Sequence, residues 1–390
     1  MRIAVNTRLL LKDRLDGIGW YSFQTLRRVV RDHPSDEFYF LFDRPYAKDF
    51  IFSSNVKPIV IPPPTRHPLL WRIWFEFSLP LALHRIKPDL FLSPDGYLSL
   101  RAKIPSVAVI HDINFHHRPE DLPPASRKFY MHFFPLYAKK AERILTVSEY
   151  SRHDISASYG IPLDRIDMAW NGAHEIYQPL GDSEKTAVKA QYSGGESYFI
   201  FVGSLHPRKN VERLLLAFEA FKRETGSSMH LLLVGAEYFQ TGSIRRIYEQ
   251  SAFRDHILFT GRMEPEELSR VLGAAFALVF VPLFEGFGIP LVEAMCCDVP
   301  VIASQVTSLP EVAGDAALYC DPMEVNSIAK AMQEIAMNES LREKLVSEGR
   351  LRRMAFSWEH SAMMLWNCMM RAYESSGHAL YGSEMNRENQ

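Results

Sequence analysis

The sequence has 390 residues, 47% hydrophobic and 23% charged, which is enough for two full cores and reads as two globular domains of ordinary size. A formal net charge of -2 with no long Lys/Arg block argues against a protein that coats nucleic acid. Its four cysteines, two of them adjacent at Cys296 and Cys297, show neither a zinc nor a redox spacing, so reduced thiols in a cytoplasmic protein are expected.

Residues 1–8 read as a short strand interrupted by charge and carry no apolar stretch long enough for a signal peptide. No run approaches the roughly 18 apolar residues of a membrane span. The first half alternates short apolar runs with helical periodicity, the pattern of a parallel sheet covered on both faces. Strands are expected at 3–5, 38–42, 59–61, 90–93, 107–111 and 144–147, with a last short one within 164–170. Trp20, Phe23, Leu26 and Val30 recur at steps of three and four, which predicts an amphipathic helix over 20–32. Asp16-Gly17-Ile18-Gly19 lies just before it. Ser22 replaces the third glycine of a dinucleotide fingerprint, which disfavours a Rossmann dehydrogenase. Gly17 and Gly19 can still face a phosphate at a helix N-terminus, or simply shape a turn.

The aromatic stretch from Leu69 to Phe77 reads as a buried helix in preference to one lying in a membrane interface. The run 107–111 ends on His111-Asp112, and ligands of open α/β sheets gather at such carboxyl ends. His111 is therefore a site candidate, against the alternative of a structural histidine. His116 and His117 have no recognisable metal spacing and are expected in a loop. Ser148 should cap a helix over 149–159 that Gly160 closes. Asn171-Gly172 marks a turn, and the polar stretch 181–196 reads as the entry to a second domain.

A second alternation follows, with strands expected at 198–204, 229–234, 257–260, 277–282, 299–303 and 317–319. Two Rossmann-like domains facing across a cleft, with the site in that cleft, is the economical arrangement. Directly after the first of these strands comes His206-Pro207-Arg208-Lys209-Asn210, leading into a helix that Asn210 can cap. Arg208 and Lys209 would oppose the positive end of the helix dipole, a conflict that an anionic ligand removes. Further on, Phe284-Glu285-Gly286-Phe287-Gly288-Ile289-Pro290-Leu291-Val292-Glu293 joins a strand to a helix through a glycine-rich turn. Gly286 and Gly288 allow backbone N–H groups to approach an anion at the helix start. Glu285 and Glu293 are suited to accept hydrogen bonds from hydroxyls on either side of it. Alternatively, Glu293 in a first helical turn serves the dipole alone and Glu285 is a solvated loop residue. An anion flanked by hydroxyls describes a nucleotide sugar.

These residues together resemble the retaining glycosyltransferases of family 4, which have the GT-B fold. The likeness rests on Gly203-Ser204 with Arg208-Lys209-Asn210, on Thr260-Gly261-Arg262, on Glu285-x7-Glu293 and on the run from Ser308 to Ala316. In the first half it rests on Gly17-Ile18-Gly19, His111-Asp112 and Thr146-Val147-Ser148. The resemblance implies that Arg208 and Lys209 bind the donor diphosphate, Glu285 the sugar hydroxyls and Glu293 the ribose. Backbone groups of Gly286, Phe287 and Gly288 would contact sugar or phosphate, and Gly17 and Gly19 would lie against the diphosphate. His111 would sit near the anomeric carbon, Arg262 beside the base, and Ser204 among the donor contacts.

It further implies an N-terminal acceptor-side domain, 1–175, completed by the segment 357–380, in which a helix after Phe356-Ser357-Trp358 to about Tyr373 crosses back to it, a donor domain at 176–356, and a disordered tail at 381–390. No Asp-x-Asp occurs, so the cations would take the role a metal plays elsewhere, with no cofactor beyond the nucleotide-sugar cosubstrate. The members most alike transfer mannose from GDP-mannose in surface polysaccharide assembly, onto a glycan or lipid-linked saccharide. UDP-hexoses and dTDP-rhamnose stay open as donors. A nucleotide-sugar epimerase and a non-enzymatic sugar-nucleotide sensor stand as the readings of other classes. The expected place is the cytoplasm, with peripheral contact at the inner face of the membrane and no nucleic-acid partner.

Overall fold

The computed structural model describes residues 1–12, 15, 17–236 and 242–377. Asp16 and the tail expected at 381–390 lie outside them. Each of the thirteen strands expected from the apolar runs forms, and all of them pair in parallel. The chain divides into two compact units, one of Met1–Asn171 with the segment from Trp358, the other of Gly172–Ser357.

In the first unit β1 (Arg2–Asn6), β2 (Glu37–Phe42), β3 (Val56–Val60), β4 (Leu90–Ser93), β5 (Ser106–Val109), β6 (Arg143–Thr146) and β7 (Ile166–Met168) form one sheet. Their order is β3-β2-β1-β4-β5-β6-β7. Ile3, Ala4, Val5, Leu90 and Leu92 are wholly buried, which explains why the strands read as continuous apolar runs instead of alternating ones. A helix over Trp358–Ser375 returns from the second unit and packs on the first. Glu359 accepts hydrogen bonds from Arg28 Nε at 2.8 Å and Arg31 Nη2 at 2.9 Å, both on the Gly17–Asp32 helix. His33 stacks on Trp366 with ring centroids 3.4 Å apart.

In the second unit β8 (Tyr198–Val202), β9 (His230–Val234), β10 (Ile257–Gly261), β11 (Ala277–Phe280), β12 (Val301–Ser304) and β13 (Ala317–Cys320) form a sheet in the order β10-β9-β8-β11-β12-β13. Both sheets reverse their winding once, at β1/β4 and at β8/β11. Each is thus a Rossmann-like sheet, and the crevice above its reversal point is where such sheets take ligands.

Four local expectations need correction. The first helix begins at Gly17, so Gly17 and Gly19 belong to its first turn and do not form a loop before it. The aromatic stretch is only partly buried. A helix over Pro68–Ile73 runs through one π turn, Trp74–Ser78, into a helix over Leu79–Ile86. Trp74 and Phe75 are fully enclosed while Leu69 and Phe77 face solvent. His116 and His117 close a short helix, Asn114–His117, in place of a loop. Strand β5 stops at Val109, two residues before His111. Ser148, in contrast, caps its helix by accepting from Ser151 N at 3.1 Å, and Gly160 ends it in the left-handed region.

Candidate active site

The loops that leave β8 and β11 meet in the second unit, and each brings charge. After β8, Gly203 and Ser204 lead into a 3-10 turn, Pro207–Lys209, that His206 caps by accepting from Arg208 N through Nδ1 at 3.2 Å. The close approach of the β8 and β9 ends depends on Gly235, where a Cβ would lie 1.9 Å from Gly203 O. After β11, Glu285 stands 8% exposed. Its carboxylate Oε1 accepts from Arg208 Nη1 at 2.7 Å and also from Lys209 Nζ. Arg208 Nη1 donates in addition to Phe284 O at 2.6 Å, and its backbone carbonyl accepts from Leu283 N at 2.8 Å. Lys209 Nζ lies 5.1 Å from the centre of the Phe280 ring. Two cations and one carboxylate thus share a largely enclosed position above the β8/β11 reversal, carrying one net positive charge.

The Glu285 loop is held from behind. Glu285 N donates to Thr307 Oγ1 at 3.2 Å, and Ser308 Oγ donates to Glu285 O at 2.9 Å. Gly288 has φ 97°, and a Cβ there would lie 2.5 Å from Leu309 Cδ2, so only glycine fits between the loop and that buried leucine. Phe287 packs its ring edge-on to Phe356 at 5.8 Å. Gly286 continues the same turn into the helix Ile289–Cys296, with Pro290 in its first two positions.

Two expectations about this region are corrected. Asn210 does not cap the following helix: its Nδ2 donates to Val281 O at 3.0 Å and Pro322 O at 2.8 Å, tying the cation turn to the segments after β11 and β13. Glu293 is not in a first helical turn, since the helix starts at Ile289 and has no acid in that turn. The dipole account of Glu293 therefore fails. Instead its carboxyl is mostly enclosed and receives a hydrogen bond from the buried Tyr177 hydroxyl, and burial pushes it up to about 7 with that hydrogen bond opposing. Tyr177 escaped sequence reasoning because it lies in an irregular stretch with no motif around it.

Arg262 is exposed just past the end of β10, the edge strand, and β9 separates that strand from β8. Arg208, Lys209, Glu285 and the Gly286–Phe287–Gly288 turn come together, with Glu293 in the helix that follows.

In the first unit, His111 follows β5, and its Nε2 lies 2.9 Å from Pro94 O. A carbonyl only accepts, so Nε2 carries the hydrogen. The ring meets the Tyr21 ring edge-on at 4.7 Å, and Tyr21 stands one turn after Gly17 on the same helix, so the contact links His111 to the helix whose first turn holds Gly17 and Gly19. At the β1/β4 reversal lies a network not anticipated from the sequence. Arg8 Nε donates to Asp95 Oδ2 at 2.6 Å, Asn6 Nδ2 to Asp95 Oδ1 at 2.8 Å, and the Arg8 guanidinium lies 4.3 Å from the Tyr97 ring centre. The polar run Asn6-Thr7-Arg8 at the carboxyl end of β1 was the available signal, the same one that singled out His111.

The comparisons with known proteins concern the family and the fold. Residues 182–352 match the family described as glycosyl transferases group 1, and residues 16–175 match glycosyltransferase family 4. The chain is 30% identical over 363 residues to the O-antigen chain mannosyltransferase B of Escherichia coli, covering 90% of this chain and 94% of that one. It is 28% identical over 227 residues to the O-antigen chain mannosyltransferase RfbU of Salmonella typhimurium, covering 58% and 59%. Among solved structures, a sucrose-phosphate synthase from Thermosynechococcus elongatus superposes with a TM-score of 0.78 at 18% identity, covering 96% of this chain and 99% of that one. With two Rossmann-like sheets of the GT-B class and both family models matched, this chain belongs to the family 4 glycosyltransferases and is a glycosyltransferase.

Proposed function

We propose that the protein transfers mannose from GDP-mannose, with retention of configuration, onto a glycan or lipid-linked saccharide during synthesis of a surface polysaccharide. The observation that carries this reading is the 30% identity to an O-antigen chain mannosyltransferase across nearly the full length of both chains. Arg208 and Lys209 take the donor diphosphate and stabilise the charge that grows on it as the glycosidic bond breaks. Glu285 binds sugar hydroxyls and is not a covalent nucleophile. Its present pairing with both cations keeps them oriented, and the diphosphate oxygens become their added partners when donor binds. Glu293 accepts from the ribose hydroxyls. Backbone N–H groups of the Gly286–Gly288 turn serve the sugar or phosphate, and Ser204 contributes to the same donor contacts. His111 acts near the anomeric carbon, and Gly17 and Gly19 contact the diphosphate. The acceptor hydroxyl attacks on the leaving-group face and gives its proton to a donor phosphate oxygen, without a metal. The enzyme works in the cytoplasm with peripheral contact to the membrane.

Thermal stabilisation by GDP, UDP, ADP and dTDP, and then by their sugars, tests the donor. GDP and GDP-mannose should stabilise most, by about 2.7 kcal/mol at a hundredfold excess over Kd. The double variant Arg208→Ala/Lys209→Ala should lose that stabilisation; if it does not, the diphosphate site is misplaced. Incubation with GDP-mannose and mass spectrometry of the intact protein tests the role of Glu285, since a mannosyl-Glu285 adduct would overturn it.

A further inference from the structure

The segment 66–103 and the helix Pro124–Lys140 concentrate positive charge on a chain whose net charge is -2. Within 66–103 all six lysines and arginines, Arg66, Arg72, Arg85, Lys87, Arg101 and Lys103, are exposed. Its three acids are not: Glu76 and Asp95 are buried and Asp89 is half-buried. The helix Pro124–Lys140 has four more cations and no acid, and the two segments pack together through Trp71 and Phe129, 5.3 Å between ring centres.

Among these charges runs an apolar row. Leu69, Ile73, Phe77 and Leu81 are 61%, 37%, 53% and 53% exposed. The row spans about 18 Å of helix, and its next step at the same spacing is Arg85. In a plain α-helix each fourth residue creeps about 40° round the axis, which over three steps would turn Leu81 away from Leu69. The π turn Trp74–Ser78 winds more residues into one turn and takes up part of that creep. The opposite face of the same turn, Trp74 and Phe75, is wholly buried, with Trp74 Nε1 donating to Ile61 O at 2.8 Å. The ridge is therefore anchored and does not depend on an absent partner to hold its shape. Arg101 lies with its guanidinium 4.3 Å from the Phe77 ring centre, placing a cation beside the most protruding aromatic.

We propose that this ridge is a docking face for an anionic lipid bilayer, with Leu69, Ile73, Phe77 and Leu81 entering the headgroup and acyl boundary and the surrounding cations resting on lipid phosphates. Charge complementarity selects that occupant: the two packed segments carry ten cations and no exposed acid, which disfavours a second copy of the same surface, and a protruding apolar row with Arg72 and Arg85 on the same helical stretch and Arg101 over Phe77 matches the surface of an acidic membrane. The inference deepens the peripheral membrane contact of the proposed function and is independent of the donor assignment.

The test is flotation of the full chain with vesicles of phosphatidylcholine alone and of phosphatidylcholine with phosphatidylglycerol, at low and high salt. The wild type should float with the anionic vesicles at least ~10-fold better than with the neutral ones and lose most of that preference at high salt. Phe77→Ser/Leu81→Ser and, separately, Arg72→Glu/Arg85→Glu should each weaken flotation at least ~10-fold. Both pairs are exposed, and thermal stabilisation by nucleoside diphosphate should remain as in the wild type, which separates loss of docking from loss of fold or of the donor site. A wild type that stays with neither vesicle overturns the proposal. So does a variant that floats as the wild type does, or a concentration-dependent dimer that either variant abolishes.

Discussion

Replacing Glu293 by glutamine removes one ionisation from the interior of the second unit while keeping the size of the side chain and its capacity to pair with Tyr177. In the folded protein burial raises this carboxyl to about 7, whereas an ordinary glutamate titrates at 4.5. The native state therefore holds a proton that the unfolded chain gives up. The stability this contributes is present below about pH 4.5 and is lost as pH rises through about 7. At 1.36 kcal/mol per pH unit, the loss between pH 5 and pH 8 is at most about 2.5 kcal/mol, and local relaxation around a partly accessible carboxylate brings it to about 2 kcal/mol. Neighbouring groups do not obscure the readout, because burial pushes Cys296 up to about 11 and Tyr177 well above its ordinary value. In thermal unfolding, the melting of wild type and Glu293→Gln should differ least at pH 5, and between pH 5 and pH 8 the second unit of the variant should gain about 4–8 °C over the wild type. Saturating nucleotide should narrow that gap at pH 8, since ribose hydroxyls would solvate the ionised carboxylate. A difference between wild type and variant that does not change with pH would refute the reasoning.

Three further substitutions probe other parts of the chain. Glu285→Gln removes the carboxylate that the two cations share; transfer should fall at least ~100-fold while GDP still stabilises the protein at least as well as before, because a charge repelling the diphosphate has gone. Loss of GDP binding in that variant would mean the carboxylate is needed to hold the cations in place. Gly288→Ala must strain φ 97° and displace the buried Leu309, lowering the stability of the second unit by about 2–4 kcal/mol in urea unfolding; an unchanged midpoint would count against the tight fit. Asp95→Ala leaves Arg8 enclosed without its counter-ion and should destabilise the first unit by about 3–5 kcal/mol, seen as faster amide exchange in β1 and β4. Exchange confined to the wild-type rates would show that Tyr97 and Phe75 alone hold the guanidinium.

The strands were legible in the sequence because a parallel sheet covered on both faces leaves no polar alternation. Runs such as Tyr198 to Val202 and Ala277 to Phe280 can be little else. The charged loop chemistry was legible for a related reason: Arg208-Lys209 and Glu285 stand directly after two such runs, where a sheet presents its ligands. What the sequence by itself could not determine is the strand order. Only the tertiary structure places β8 beside β11, and that adjacency makes two cations and a carboxylate distant in sequence a single cluster. Packing also decided the environment of Glu293, whose raised titration comes from burial beside Tyr177 and not from the helix position that its spacing suggested. The aromatic stretch at 69–77 shows the same limit. Hydrophobicity marked it for burial, but a π turn and the finite area of the core let Trp74 and Phe75 in and left Phe77 outside. Local sequence determines which segments are apolar and where their charges lie, while long-range contacts decide which apolar faces are covered and which charges meet.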